Sequence, residues 1–223
     1  VVAKGIKFAE KISENKELDL ASLWTLTGVA ASLNSKKLTV IDFGGAAGTH
    51  FFITKSIISK DILLDWRIVE TTSMVNEAKK QGLENSELKF FDSLEAASEN
   101  SEIDLVFASC SINYMPYPYD TLKSLASINA KKLIIARTPI TDSPKVLLQH
   151  SALSANGVGE MPTELGVTDS AISFPVTMMD RNRVEGILNS FGTILLKISE
   201  DKVVYSSNLK SYNLWGYVVS RER

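Results

Sequence analysis

"VIDFGGAAGTHFF", residues 40–52, decides how the rest of this chain is read. An apolar run ends in Asp42, then Gly44, Gly45 and Gly48 follow, and an apolar stretch of helical character comes next. Glycine tolerates positive φ and lets the main chain come very close to another group. The helix that follows presents free N–H groups at its head. A strand, a glycine turn and a helix in that order suit a nucleotide-like ligand at the carboxyl end of a parallel strand. The same glycines could also serve only a tight turn.

The surroundings favour a ligand. "LTVIDF" (38–43) reads as a buried strand and a helix follows over about 48–59. Further strands are expected at "LDWRIVE" (64–70), "LKFF" (88–91), "IDLVFAS" (103–109) and "KLIIAR" (132–137), with helices at about 73–81 and 119–128. Apolar strands alternating with helices imply a parallel sheet covered on both faces. Residues 6–33 carry apolar positions at threes and fours, broken near "SENKE", and read as two helices forming an N-terminal cap over about 1–36. Residues 138–179 hold prolines and glycines with little periodicity and read as an irregular lid on the substrate side. "DRNRVEGILNSFG" (180–192) is a helix with Asp180 as N-cap and Gly192 as its stop. The last two strands, "TILLKISED" and "NLWGYVVSRE", have no helix between them and should form an antiparallel hairpin.

Composition narrows the function. The 223 residues are 44% hydrophobic and 22% charged, with a net charge of −2, enough for a sizeable core. The lysines are scattered, as in "SKKL" and "AKKL", so no basic stripe marks a nucleic-acid partner. The single cysteine, Cys110, rules out an internal disulfide and a cysteine-based metal site, and points to a reducing, cytoplasmic setting. Two widely separated histidines make a poor metal set. No apolar run is long enough to span a bilayer, and "VVAKGIKFAEKI" does not read as a secretory signal. The chain starts on valine, which reads as a processed or a truncated start.

The strand ends collect acids: Asp42 after the first, Glu70 after the second, Asp92 with Ser93 after the third. An acid at the end of the second strand is placed to accept hydrogen bonds from both ribose hydroxyls. Three carboxylates around one ligand repel an anion and favour a cation, which selects a sulfonium cofactor over a dinucleotide. Glu70 could also be a solvated strand end, and Asp92 could cap the short helix after it.

With these residues the chain resembles the class I S-adenosylmethionine-dependent methyltransferases. Their first motif maps onto Asp42, Gly44, Ala46 and Gly48, with Ala46 where a glycine is usual. "DFGGAAGTHFF", "SCSINYMPYPYDTL" and "IIARTPIT" are similar to a little-described group of bacterial proteins assigned as methyltransferases and associated with surface-polysaccharide biosynthesis. The resemblance implies an α/β, Rossmann-like fold with a seven-stranded, mostly parallel sheet, one antiparallel strand, and helices on both faces. It implies S-adenosyl-L-methionine as cofactor, with Asp42 and the Gly44–Gly45–Ala46–Gly48 loop at the methionine end. Glu70 would hold the ribose, and Thr71 or Thr72 would lie beside the adenine. Asp92 would accept from the adenine amino group with Ser93 next to it, and Ser109 would contact the methionine portion.

For the acceptor side, methyl transfer needs alignment above all, and a hydroxyl acceptor gains from a general base. His150, in the expected lid, is the candidate base; His50, just after the glycine turn, positions the cofactor or the loop. Asn113 and Tyr114 follow the fourth strand and offer hydrogen bonds and a flat face. Arg137 ends the fifth strand and could clamp an anionic group on the acceptor or pair with a nearby acid. Cys110 reads as a small buried residue. The acceptor is a small molecule or a glycan, methylated on oxygen, and the protein a monomer or homodimer. A methyltransferase-like binding protein without catalysis, or an NAD-dependent oxidoreductase on a related sheet, are the alternatives.

Overall fold

Strand β1 (Lys37–Phe43) is buried from Leu38 to Asp42, as a central parallel strand covered on both faces must be. In this computed structural model residues 2–15, 22–33, 36–155, 161, 166, 168–207 and 210–221 are described. Beside β1 lies β4 (Ile103–Ser109), in parallel, with Val40 opposite Leu105 and Phe43 opposite Ala108. On its other side run β2 (Leu63–Val69) and then β3 (Leu88–Phe91), also parallel. Next to β4 comes β5 (Ala130–Thr141), parallel again. The order β3-β2-β1-β4-β5 changes direction between β1 and β4. Sheets of this kind bind ligands outside the carboxyl ends of the strands at such a switch point.

Alternation along the strands divides the core in two. Ile41, Val106, Leu133 and Ile135 face α6 (Pro118–Ser127) and α7 (Arg181–Phe191), meeting Leu122, Leu125, Val184 and Leu188. Val40, Leu105, Ile134 and Ala136 face the other layer, built on α3 (Thr49–Ile57) and α4 (Thr72–Lys80) with Phe51 and Val75. Helix α7 ends as its sequence dictates: the Asp180 side chain accepts from the Arg183 N–H and Gly192 stops it.

Beyond β5, β9 (Lys210–Ser220) runs antiparallel and β8 (Thr193–Ser207) pairs antiparallel with β9. The expected seven-stranded, mostly parallel sheet with one reversed strand is therefore β3-β2-β1-β4-β5-β9-β8. Two further strands bring the total among the described residues to nine.

Those two strands correct the expectation of an irregular segment at 138–179. Strand β5 continues to Thr141, and β6 (Lys145–Ala152) pairs antiparallel with β7 (Ala171–Asp180) from Lys145–Met178 to Ala152–Ala171. A short 3-10 turn, Leu153–Ala155, follows β6, and residues 156–160, 162–165 and 167 lie outside the described residues. The hairpin escapes sequence reading for a physical reason. Both faces of β6 carry apolar residues, with Leu147 half-buried while Val146 and Leu148 are exposed, so the period of two is erased in that strand. Pro139 and Pro175 inside the strands also read as breakers.

The N-terminal helices are built into the domain. Helix α2 (Ser22–Ser32) lies in the second layer, where a Cβ on Gly28 would stand 3.1 Å from Ile134 and 3.2 Å from Leu105. Helix α1 (Val2–Asn15) rests on the glycine turn, with Gly5 against Ala47 and no room for a side chain between them. Core packing thus crosses the boundary expected at residue 36. The helix continues through the first part of "SENKE", and residues 16–21 lie outside the described residues. No helix among the described residues is long and apolar enough to cross a membrane.

Candidate functional site

The first turn after β1 is shaped by two glycines with positive φ, Gly44 at 72° and Gly48 at 93°. Gly44 donates its N–H to the Val69 carbonyl (2.9 Å) and Gly48 to the Gly45 carbonyl (3.0 Å). A Cβ on Gly44 would lie 2.5 Å from the Ser111 Cβ, and one on Gly45 would lie 2.5 Å from Asp42 Oδ2. The turn is thus wedged between β4's exit and the Asp42 carboxylate, and only glycine fits. Ala46 takes the left-handed conformation at φ 52° despite its side chain. We expect Gly44→Ala to destabilise the fold by about 2 kcal/mol, from the left-handed backbone and the contact together. A thermal melt measures it, and adding Ser111→Gly should restore the part due to the contact.

Behind the turn, Asp42 is completely buried. Its Oδ2 accepts from the Trp66 indole N–H (3.0 Å), and the His50 Nδ1 lies 3.0 Å from Oδ2 and 3.1 Å from Oδ1. The His50 ring stands edge-on to Phe107, centroids 4.9 Å apart. This corrects the expected ring of three carboxylates around a ligand. Asp42 faces inward and holds the turn through His50, while Glu70 and Asp92 face the crevice.

The crevice, about 420 Å³, opens at the carboxyl ends of β1, β2 and β4. Phe43, Gly44, Val69, Glu70, Thr71 and Asp92 line one part of it, and Cys110, Ser111, Tyr114 and Met115 the other. Glu70 Oε1 accepts from the Ala46 N–H and Oε2 from the Thr71 N–H, each at 3.1 Å. One side chain so ties the glycine turn to the end of β2. Burial raises the Glu70 carboxyl above its ordinary value; the two N–H donors oppose this and the Asp42 charge adds to it. Asp92 is exposed at the mouth. The short helix Leu94–Ser98 is capped by Ser93, whose hydroxyl accepts from the Ala96 N–H at 3.2 Å.

The remaining expected residues fall in different places. Tyr114 lines the crevice and backs onto the β6–β7 hairpin, its ring edge-on to Phe174 (5.4 Å) and its hydroxyl 3.5 Å from Gln149 Oε1. Asn113 is buried, and neither its Nδ2 nor its Oδ1 has a hydrogen-bond partner among the described residues. Ser109 pairs opposite Ala136 and is not among the lining residues. His150 does not reach the crevice. It is exposed and bonded to Ser173 (2.7 Å) across the hairpin, on the face opposite Gln149. Arg137 is half-buried at the carboxyl end of the β4–β5 pairing.

Sequence reasoning missed the part played by the exit from β4. Cys110 lines the crevice in a left-handed conformation, φ 52°. The Ser111 hydroxyl donates to the Phe43 carbonyl (2.9 Å) and so seals β4's exit to the end of β1. The "SCS" after a buried strand was the available signal for Ser111; nothing in the sequence announces the conformation of Cys110.

A Rossmann-like sheet of this order, with the reversed strand β9 between β5 and β8, is the fold of the class I methyltransferases. Solved structures show the likeness. The chain is similar to a S-adenosylmethionine-dependent methyltransferase from Clostridium acetobutylicum ATCC 824, with 13% identity over 96% of this chain and 98% of that one, at a TM-score of 0.53. It is similar to the N-terminal domain of EvdMO1, solved in the presence of SAH and D-fucose, with 14% identity over 92% of this chain and 84% of that one, at 0.53. A complex between the Haloferax volcanii Trm112 methyltransferase activator and a protein assigned as a methyltransferase gives 12% identity over 99% of both chains, at 0.51. No protein-family model matches the chain, and no curated protein sequence matches it.

Proposed function

We propose that this protein binds S-adenosyl-L-methionine in the crevice and transfers its methyl group to a hydroxyl of a small molecule or glycan. One observation carries the reading. Glu70, accepting from Ala46 of the glycine turn with one oxygen and from Thr71 at the end of β2 with the other, lines a crevice that also exposes the bare main chain of Gly44. The residues present fit the cofactor. Gly44 lines the crevice with bare main chain for the methionine end, the Glu70 carboxylate keeps lone pairs for ribose hydroxyls, and Asp92 offers an acceptor for the adenine amino group. Two acids and no base at that end suit a ligand with a positive centre. The EvdMO1 domain, solved with SAH, supports the same choice of cofactor.

The bound cofactor supplies an electrophilic methyl. The chain's own contribution is orientation and exclusion of water. Helix α1 lies over the glycine turn and reaches the 3-10 turn after β6, where Lys4 Nζ donates to the Ser154 carbonyl (2.8 Å). Tyr114 lines the opposite wall, the side on which the acceptor would lie. No histidine lines the crevice among the described residues, so rate enhancement rests on alignment. A small or glycan acceptor of the kind handled in polysaccharide assembly fits the tyrosine wall.

Calorimetry with S-adenosyl-L-methionine, S-adenosyl-L-homocysteine and NAD in parallel tests the reading; binding of NAD alone ends it. With an acceptor in hand, Tyr114→Ala should lower turnover about ten-fold with cofactor affinity unchanged. His150→Ala should alter neither, because its imidazole is on the outer face of the hairpin.

A further inference from the structure

The strand ends around the crevice differ in charge. Glu70 and Asp92 line the side of β2 and β3, whereas β5 ends in a cation, Arg137, which is not itself a lining residue but adjoins Cys110, which is. The Cys110 N–H donates to the Ala136 carbonyl at 2.9 Å, which sets Arg137 next to Cys110. Both residues are in the left-handed conformation, at φ 52° and 53°. The β5–β9 register also shifts between Ile135 and Thr138, so Arg137 sits in an irregularity in an otherwise continuous strand. A bulge of this kind re-aims a side chain, and left-handed non-glycine residues gather at functional sites because the surrounding structure must hold them there.

The guanidinium has no hydrogen bond or ion pair among the described residues, although Arg137 is half-buried. Glu200 is the acid whose charge, like that of Arg137, reaches Cys110. It is engaged elsewhere, accepting from the Trp24 indole N–H at 2.9 Å. Five donors in a rigid fork, partly withdrawn from water and unused, are costly unless a ligand completes them. The matching ligand is a carboxylate or a phosphate, which accepts two parallel N–H bonds. A cationic centre bound nearby makes an unpaired arginine more costly still, and an anion on the acceptor removes that cost.

We propose that Arg137 is a specificity-determining residue that selects an acceptor carrying a carboxylate or phosphate beside the hydroxyl to be methylated. This assignment of substrate class rests on the methyltransferase reading of the crevice. It makes the site polar along its length, with acids at the nucleoside end and the arginine at the acceptor end.

The test has a direct arm and a functional arm. In the first, the side-chain Nε–H signals of the full chain are followed by NMR while inorganic phosphate or acetate is added. The Arg137 signal should titrate at anion concentrations at least about ten-fold lower than that of the exposed Arg183, because a partly desolvated guanidinium binds an anion more strongly. The anion that saturates Arg137 first identifies the group. Equal response of the two arginines overturns the proposal. In the second arm, labelled methyl donor is offered with glucuronate, glucose 6-phosphate and glucose. One of the anionic sugars should exceed glucose by about ten-fold or more in kcat/KM. Arg137→Gln should abolish that preference and Arg137→Lys retain part of it. Glucose used as well as the others, or a preference that survives Arg137→Gln, overturns the proposal. Binding of S-adenosyl-L-homocysteine is measured on every variant. Its absence from the wild-type chain removes the methyltransferase reading, while the NMR arm still decides the anion site.

Discussion

Glu70→Ala is expected to weaken binding of S-adenosyl-L-methionine and S-adenosyl-L-homocysteine by about 10- to 100-fold, since hydrogen bonds to a charged group contribute about 1.5–3 kcal/mol. The carboxylate has two tasks. It accepts the Ala46 and Thr71 N–H groups, which fixes the glycine turn against β2, and it offers its remaining lone pairs to the ligand. Glu70→Gln separates the two: the amide oxygen can still accept from one N–H, but the charge is gone. The pH dependence gives a second, independent readout. Burial, the largest influence, holds the Glu70 carboxyl above its ordinary 4.5. Cofactor affinity should therefore begin to fall on acidification at a pH above 4.5, as the carboxylate takes up its proton. Folding stability runs the other way. A carboxyl whose pKa is raised by folding adds stability that is complete below its unfolded value and is lost as pH rises through the raised one. In Glu70→Gln both pH limbs should disappear. Calorimetry across pH, paired with thermal melts, checks each; affinity unchanged in Glu70→Ala would remove Glu70 from the ligand site.

That glutamate was legible from the chain alone, and the reason is topological. A buried parallel strand followed by a helix almost always ends at the ligand edge, so an acid at position 70 had few other places to go. The same logic put Asp92 and Gly44 at that edge, where both line the crevice, and the capping of α7 by Asp180 is local chemistry readable over three residues. What could not be read depends on contacts distant in sequence. Asp42 looked like a ligand residue because it precedes the glycines, but Trp66, buried on β2, reaches across and claims one oxygen. Tryptophan at position 66 carried only the signal of a strand residue. The hairpin β6–β7 was hidden by apolar residues on both faces of β6 and by Pro175 within β7. It forms the wall behind Tyr114 and carries His150 outward, away from the crevice. The left-handed turns at Cys110 and Arg137 are imposed by pairing with neighbouring strands, and neither residue type announces them.

Asp42→Ala should be the most destabilising single change in the site. Two buried or half-buried donors, the Trp66 indole N–H and the His50 Nδ1–H, lose their acceptor. Each orphaned buried donor costs about 1–3 kcal/mol. The sum, about 4 kcal/mol, lowers the melting temperature of a domain this size by roughly 10 °C. Asp42→Asn keeps the shape and one acceptor oxygen, so it should lose about half as much. These variants also decide between two roles for the acid. If Asp42 met the ligand directly, as its place before the glycines implied, Asp42→Asn would cost affinity while the melt hardly moved. As a buried anchor it must show the reverse order: the melt falls first, and affinity declines only because His50 and the turn at Gly45 are no longer held. His50→Ala completes the comparison, because it leaves the Trp66 bond in place. Its melting temperature should lie between those of the wild type and Asp42→Ala, and combining the two changes should cost less than their sum, since they share one contact. Strict additivity would show that the His50–Asp42 contact contributes nothing to holding the turn.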